Sequence, residues 1–111
     1  LSRERKVGID LEFMSHRISS ISHRFINDND RVTANEEHLK YHLYIHWCAK
    51  EALYKICDKQ DISFKDNLTI EPFEPEERGL LKGRVHNRMR DELFNMTYFS
   101  LGNYVIVWCC K

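Results

Sequence analysis

The chain has 111 residues, enough for one compact domain, with 42% hydrophobic and 31% charged residues. Seventeen Lys and Arg balance seventeen Asp and Glu, which argues against nucleic-acid binding, since that relies on surplus basic residues to neutralise phosphates. No apolar run approaches the ~20 residues of a membrane span and no secretory signal opens the chain, so a cytoplasmic protein without membrane or nucleic-acid partners is expected.

Val7, Ile9 and Leu11 alternate with Gly8, Asp10 and Glu12. This period of two predicts a strand with an apolar face suited to a core and an acidic face opposite. Ile18, Ile21 and Phe25 are spaced for one side of a short helix, and Asn27 to Asp30 read as a polar turn. Thr33 and Glu36 have capping-box spacing. From there to about Cys57 no Gly or Pro interrupts the chain. Leu39, Leu43, Trp47 and Leu53 head a wide apolar stripe, which predicts one long helix.

The remainder reads as β. Leu68 to Phe73 is a candidate strand closed by Pro72 and Pro75, and Glu74, Glu76 and Glu77 predict an exposed loop ending near Gly79. Leu80 to His86, Met96 to Leu101 and Tyr104 to Cys109 read as further strands. Gly102-Asn103 is a two-residue hairpin signal between the last two. The fold expected is α+β, an antiparallel sheet packed on one long helix, in a single domain over residues 1–111.

Asp10 and Glu12, two apart on a strand, project from one face. Two adjacent carboxylates suit a magnesium ion, which takes oxygen ligands and usually one or two carboxylates plus phosphate oxygens and water. They equally suit an exposed strand whose outer face is acidic. Glu51 and Lys55, four apart on the helix, fit either a surface ion pair or a third metal carboxylate with a phosphate-binding cation one turn on.

Taken together, Gly8-Ile9-Asp10-Leu11-Glu12 and Trp47-x-x-Lys50-Glu51-x-x-x-Lys55, with Asp10 and Glu51 about forty positions apart, resemble the paired signature of the 4′-phosphopantetheinyl transferases. The D-x-E form and the tryptophan before K-E look like the surfactin-synthetase-activating type rather than the short holo-acyl-carrier-protein synthases. The tail Tyr98-Phe99 with Gly102-Asn103-Tyr104-Val105-Ile106-Val107 is similar to its closing hairpin.

The resemblance implies a lobe of that fold and magnesium-dependent transfer of 4′-phosphopantetheine from coenzyme A to a serine of an acyl or peptidyl carrier protein, releasing 3′,5′-ADP. Asp10, Glu12 and Glu51 match the magnesium ligands. Lys55 matches the lysine that contacts coenzyme A phosphate, and Lys50 matches the lysine near the departing or attacking oxygens. Glu51, Asp28 or Asp30 would accept the serine proton. In this enzyme type the G-I-D strand lies midway along a chain about twice as long, so the resemblance covers the second lobe. An upstream lobe is expected to be missing, or its place taken by another copy in a homo-oligomer. A non-catalytic lobe that binds magnesium or docks a carrier or partner lobe is the alternative; a structural domain with a chance acidic strand is a third reading.

Other features suggest less. Cys48, Cys57, Cys109 and Cys110 form no C-x-x-C pair and predict buried free thiols in a reducing compartment. His38, His42 and His46, four apart, predict a solvated or partly packed helix face without a ligand partner. Lys82, Arg84, His86, Arg88 and Arg90 would form one basic strand face, which guards a sheet edge or contacts an acidic carrier protein or coenzyme A phosphate. Trp47 and Trp108 are expected in the core.

Overall fold

The protein is described by a computed structural model covering residues 6–15, 17–57 and 62–110. In chain order the elements are β1 (Val7–Phe13), α1 (Ile18–Ile21) with a 3₁₀ turn at Ser22–Arg24, α2 (Glu36–Ile56), β2 (Leu68–Ile70), β3 (Arg78–His86), β4 (Asp91–Leu101) and β5 (Tyr104–Cys110). All five strands form one antiparallel sheet in the order β1-β5-β4-β3-β2. The α+β architecture is therefore as expected, and α2 lies against β1 and β5, with β2 near its other flank.

α2 starts where Asn35 accepts a side-chain hydrogen bond from the Glu37 amide at 2.9 Å. The Thr33–Glu36 capping box is thus corrected by two residues: Thr33 instead accepts from the Asn35 amide at 3.1 Å and supports the cap from outside. Glu36 and Glu37 in the first turn and Lys55 in the last both complement the helix dipole. Leu43, Ile45, Ala49, Ala52, Leu53 and Ile56 are all buried. On the sheet the buried residues include Val105, Val107, Met96 and Val85, which alternate with more exposed residues as period two requires, and Leu68 of the wholly buried β2.

Four expectations on the β half are adjusted. The second strand ends at Ile70 because Pro72 supplies no ladder donor. The third begins earlier, at Arg78, so Gly79 lies within a strand. The fourth also begins earlier, at Asp91, and runs to Leu101. The basic alternation is cut at His86: Arg88 and Arg90 lie in the β3–β4 turn, where Arg90 pairs with Glu92. The β4–β5 hairpin is as expected, with Gly102 at φ +60°, the left-handed region that favours glycine.

One correction changes the site. The apolar alternation of β1 faces outward, not into the core: Val7, Ile9, Leu11 and Phe13 are each more than half exposed. Gly8 and Asp10 are buried on the opposite side. Gly8 explains the choice, since a Cβ there would lie 2.2 Å from the Ala52 carbonyl oxygen. Only glycine lets the helix backbone approach this closely, and the acidic face of β1 follows Gly8 onto the helix. The outward face continues onto β5, where Ile9 is paired with Trp108 and Phe13 with Tyr104, their rings 5.3 Å apart. Trp108 is accordingly half-buried on the outer face rather than in the core.

Candidate functional site

α2 is covered along most of its length. In its C-terminal half the positions that reach solvent are Trp47, Glu51, Tyr54 and Lys55, one stripe at helical spacing. β1 runs beside that stripe and offers Asp10 and Glu12. The strand's end is pinned to the helix by Tyr44, whose hydroxyl accepts from the Ser15 amide at 2.8 Å.

Lys55 donates to Asp10 Oδ1 at 3.0 Å and to the Ile9 carbonyl at 2.9 Å. The Asp10 side chain is 8% exposed and that of Lys55 44%. The second carboxylate oxygen, Oδ2, is buried with no hydrogen-bond donor among the described residues. Its neighbour is Glu12, another carboxylate. Glu12 is pushed up from 4.5 to about 7, first by burial, then by the adjacent Asp10, with Glu51 adding to the effect and the Trp47 indole N–H opposing it. The Lys55 ammonium is pushed upward as well, chiefly by its hydrogen bond to Asp10, with Glu51 and Glu12 contributing.

Beneath these groups lies Cys48, fully buried, its thiol donating to the Val105 carbonyl. Burial is the main reason its pKa is raised, followed by Asp10, Glu12 and Glu51. The strand pair and the helix acid therefore act on one thiol and one ammonium. Among the described residues no three His, Cys, Asp or Glu side chains form a ready-made metal cage; the acids are close enough to perturb one another without being drawn into one coordination sphere. Their chemistry nonetheless fits a hard divalent cation: all three are oxygen donors. An orphaned buried oxygen and a carboxyl that resists ionisation both call for positive charge.

Of the other predicted residues, Lys50 and Asp30 lie deeper. Lys50 is 0% exposed. Its ammonium donates to Asp30 Oδ2 at 2.6 Å and to the Phe25 carbonyl. Asp30 also accepts from the Asn27 and Ile70 amides, both at 2.9 Å, so this pair joins the 25–30 turn, α2 and β2. Asp28 is exposed on the same turn, its carbonyl accepting from Arg31.

Sequence reasoning missed three things. Trp47 was expected in the core but is half-buried and donates to Glu12; its i,i+4 relation to Glu51 was the available signal. Cys48 is a buried free thiol as expected, with Cys57 and Cys109, whereas Cys110 is exposed; what had no signal was the place of Cys48 under the acids, since such a thiol has no distinctive spacing. The histidine ladder is also corrected: His38 is exposed, but His42 and His46 are buried against Phe73. The His46 Nδ1 atom lies 3.7 Å from Asp30 Oδ1, and burial lowers its pKa to about 3.

This arrangement of strand acids and helix acid lies wholly within a match to a known family: the sequence model of the 4′-phosphopantetheinyl transferase superfamily covers residues 6–109. The chain belongs to that superfamily. No curated protein matches it. A phosphopantetheinyl transferase of this superfamily uses coenzyme A and acts on carrier proteins, and membership makes the chain a transferase by descent. Among the described residues, no helix of this transferase is long and apolar enough to cross a membrane.

Proposed function

We propose that the chain carries out magnesium-dependent transfer of 4′-phosphopantetheine from coenzyme A to a serine hydroxyl of an acyl or peptidyl carrier protein, in the manner of the surfactin-synthetase-activating type. The observation that supports this reading is that Asp10 and Glu12 from β1 and Glu51 from α2 all act on the same two groups, the Lys55 ammonium and the Cys48 thiol, with Lys55 bonded directly to Asp10. Asp10, Glu12 and Glu51 would hold the ion. When bound, magnesium neutralises the diphosphate charge that grows as the bond to 3′,5′-ADP breaks.

The side chains supply the rest. Lys55, whose side chain is 44% exposed, would meet a phosphate oxygen of coenzyme A. Glu51 is the proposed acceptor of the serine proton, on the accessible stripe of the helix. Asp28 is exposed and remains a second acceptor on the neighbouring turn. Asp30 and Lys50 hold that turn against the helix; either would reach substrate only by opening their mutual ion pair. Trp47 steadies Glu12 through its indole N–H.

Incubation with coenzyme A, magnesium and an apo carrier protein tests the reading, with the carrier's gain of one phosphopantetheine read by mass spectrometry. Glu51→Ala is expected to abolish that gain, because it removes a ligand from a dense phosphate site. Transfer by Glu51→Ala at the wild-type rate would refute the assignment.

A second reading is favoured by one feature, the outward apolar face of β1 and β5. Val7, Ile9, Leu11 and Phe13 stand exposed in a row, the kind of surface that marks an interaction site. In this reading the chain is one lobe, its outer sheet face meant for an upstream lobe or a second copy, and alone it binds magnesium or a carrier without turnover. Light scattering of the purified chain separates the cases: an oligomer that turns over supports the enzyme, and an inactive monomer supports the lobe.

A further inference from the structure

The Asp10–Lys55 contact carries a consequence for how ligands enter the site, and it rests on the functional reading above. Lys55 meets the acid cluster from its solvent side. Its ammonium engages Asp10 Oδ1 at 3.0 Å and the Ile9 carbonyl at 2.9 Å, while Oδ2 of the same carboxylate is buried without a hydrogen-bond partner among the described residues. The lysine side chain is 44% exposed, on a flexible four-carbon stem that carries a compact point charge. A divalent cation bound by Asp10, Glu12 and Glu51 would draw on the same carboxylate charge that Lys55 now draws on. The two cations would also repel one another across Asp10.

We propose that Lys55 is a competing cation for the Asp10–Glu12–Glu51 cluster, drawn off Asp10 by a phosphate ligand, so that divalent cation and diphosphate substrate bind interdependently. Magnesium alone binds against the lysine's charge. A diphosphate gives that charge another partner, and magnesium then has the carboxylates to itself. The coupling is reciprocal, as any linkage between two binding equilibria must be. It discriminates against occupation of the cluster by cation without substrate.

The test is calorimetric titration of Mg²⁺ into the whole chain, without and then with coenzyme A, for wild type, Lys55→Met, Lys55→Arg and Asp10→Asn. Lys55 is a rim residue, so thermal melts of the variants are expected to match wild type. Without coenzyme A, Lys55→Met should bind Mg²⁺ about tenfold more tightly than wild type, the scale expected for removing a unit charge a few ångströms away in partly solvated surroundings. Lys55→Arg, which keeps the charge, should stay close to wild type. Coenzyme A should tighten Mg²⁺ binding in wild type and do so less in Lys55→Met. Equal or weaker Mg²⁺ binding by Lys55→Met, with Asp10→Asn impaired, overturns the competition and leaves the functional reading standing. Asp10→Asn binding Mg²⁺ as wild type does, or no binding by wild type and Lys55→Met alike, overturns both.

Discussion

Two Asp–Lys pairs tie α2 to its surroundings, and they behave oppositely. Asp30–Lys50 is closed: both side chains are 0% exposed, and Asp30 also takes two backbone amides. Asp10–Lys55 is open: the lysine is 44% exposed and one carboxylate oxygen has no donor. A buried ion pair is tolerated when its remaining hydrogen-bonding capacity is filled, and such a pair is suited to holding a shape. A pair left with an orphaned oxygen beside two further acids holds unspent negative charge, and that is the character of a binding site. Chemically identical partners, five residues apart on one helix, are thus divided between scaffold and function by what surrounds them.

Breaking the closed pair should have the largest effect on stability. Asp30→Ala leaves the Lys50 charge buried without its partner and is expected to cost about 3–5 kcal/mol in urea unfolding. Adding Lys50→Met should recover part of that loss but not all, because the Asn27 and Ile70 amides remain without their acceptor. Full stability in Asp30→Ala would show that the pair is not a scaffold element.

Gly8→Ala sits between the two regions in expected size. The added methyl meets the Ala52 carbonyl, and forcing β1 away from α2 should cost about 1–3 kcal/mol, the usual range for overpacking. Mg²⁺ binding should weaken with it, since the strand acids move away from Glu51. Asp10→Asn should change stability by less than about 1 kcal/mol, as expected for a partly exposed pair, yet impair both Mg²⁺ binding and transfer. That split between stability and binding is the sharpest contrast with Asp30.

The pH dependence separates the two regions by sign rather than by size. Glu12 binds its proton more tightly in the folded state, up to about 7 against 4.5. Its contribution is therefore present at low pH and is lost as pH rises from about 4.5 to about 7. His46, near Asp30, is depressed to about 3 from 6.5. Its contribution is present above 6.5 and is lost as pH falls toward 3. Melting temperatures across this range should show Glu12→Gln losing the decline toward neutral pH and His46→Gln losing part of the decline toward acid. Magnesium should flatten the Glu12 component alone, since it supplies the positive charge the proton would otherwise bring.

Local pattern was enough to read much of this molecule. The uninterrupted apolar stripe from Leu39 to Ile56 specified the long helix, because helical spacing and the absence of Gly and Pro are properties of the chain itself. Gly102-Asn103 specified the last hairpin in the same way. The spacing of Asp10, Glu12, Glu51 and Lys55 singled out the acids and the cation on which the proposed function rests, and of these the structure pairs Lys55 with Asp10. What local pattern could not supply was the side of β1 that meets the helix. Alternation distinguishes two faces of a strand but does not say which one is buried. Here a close backbone approach at Gly8 brings the acidic face inward, against the simple rule that apolar residues go inside. The different fates of Lys50 and Lys55 likewise arose only on folding. Burial and partners are set by the turn at Asn27–Asp30 and by β2, segments distant in sequence from the helix, and only their packing determines which lysine is enclosed and which is left facing water.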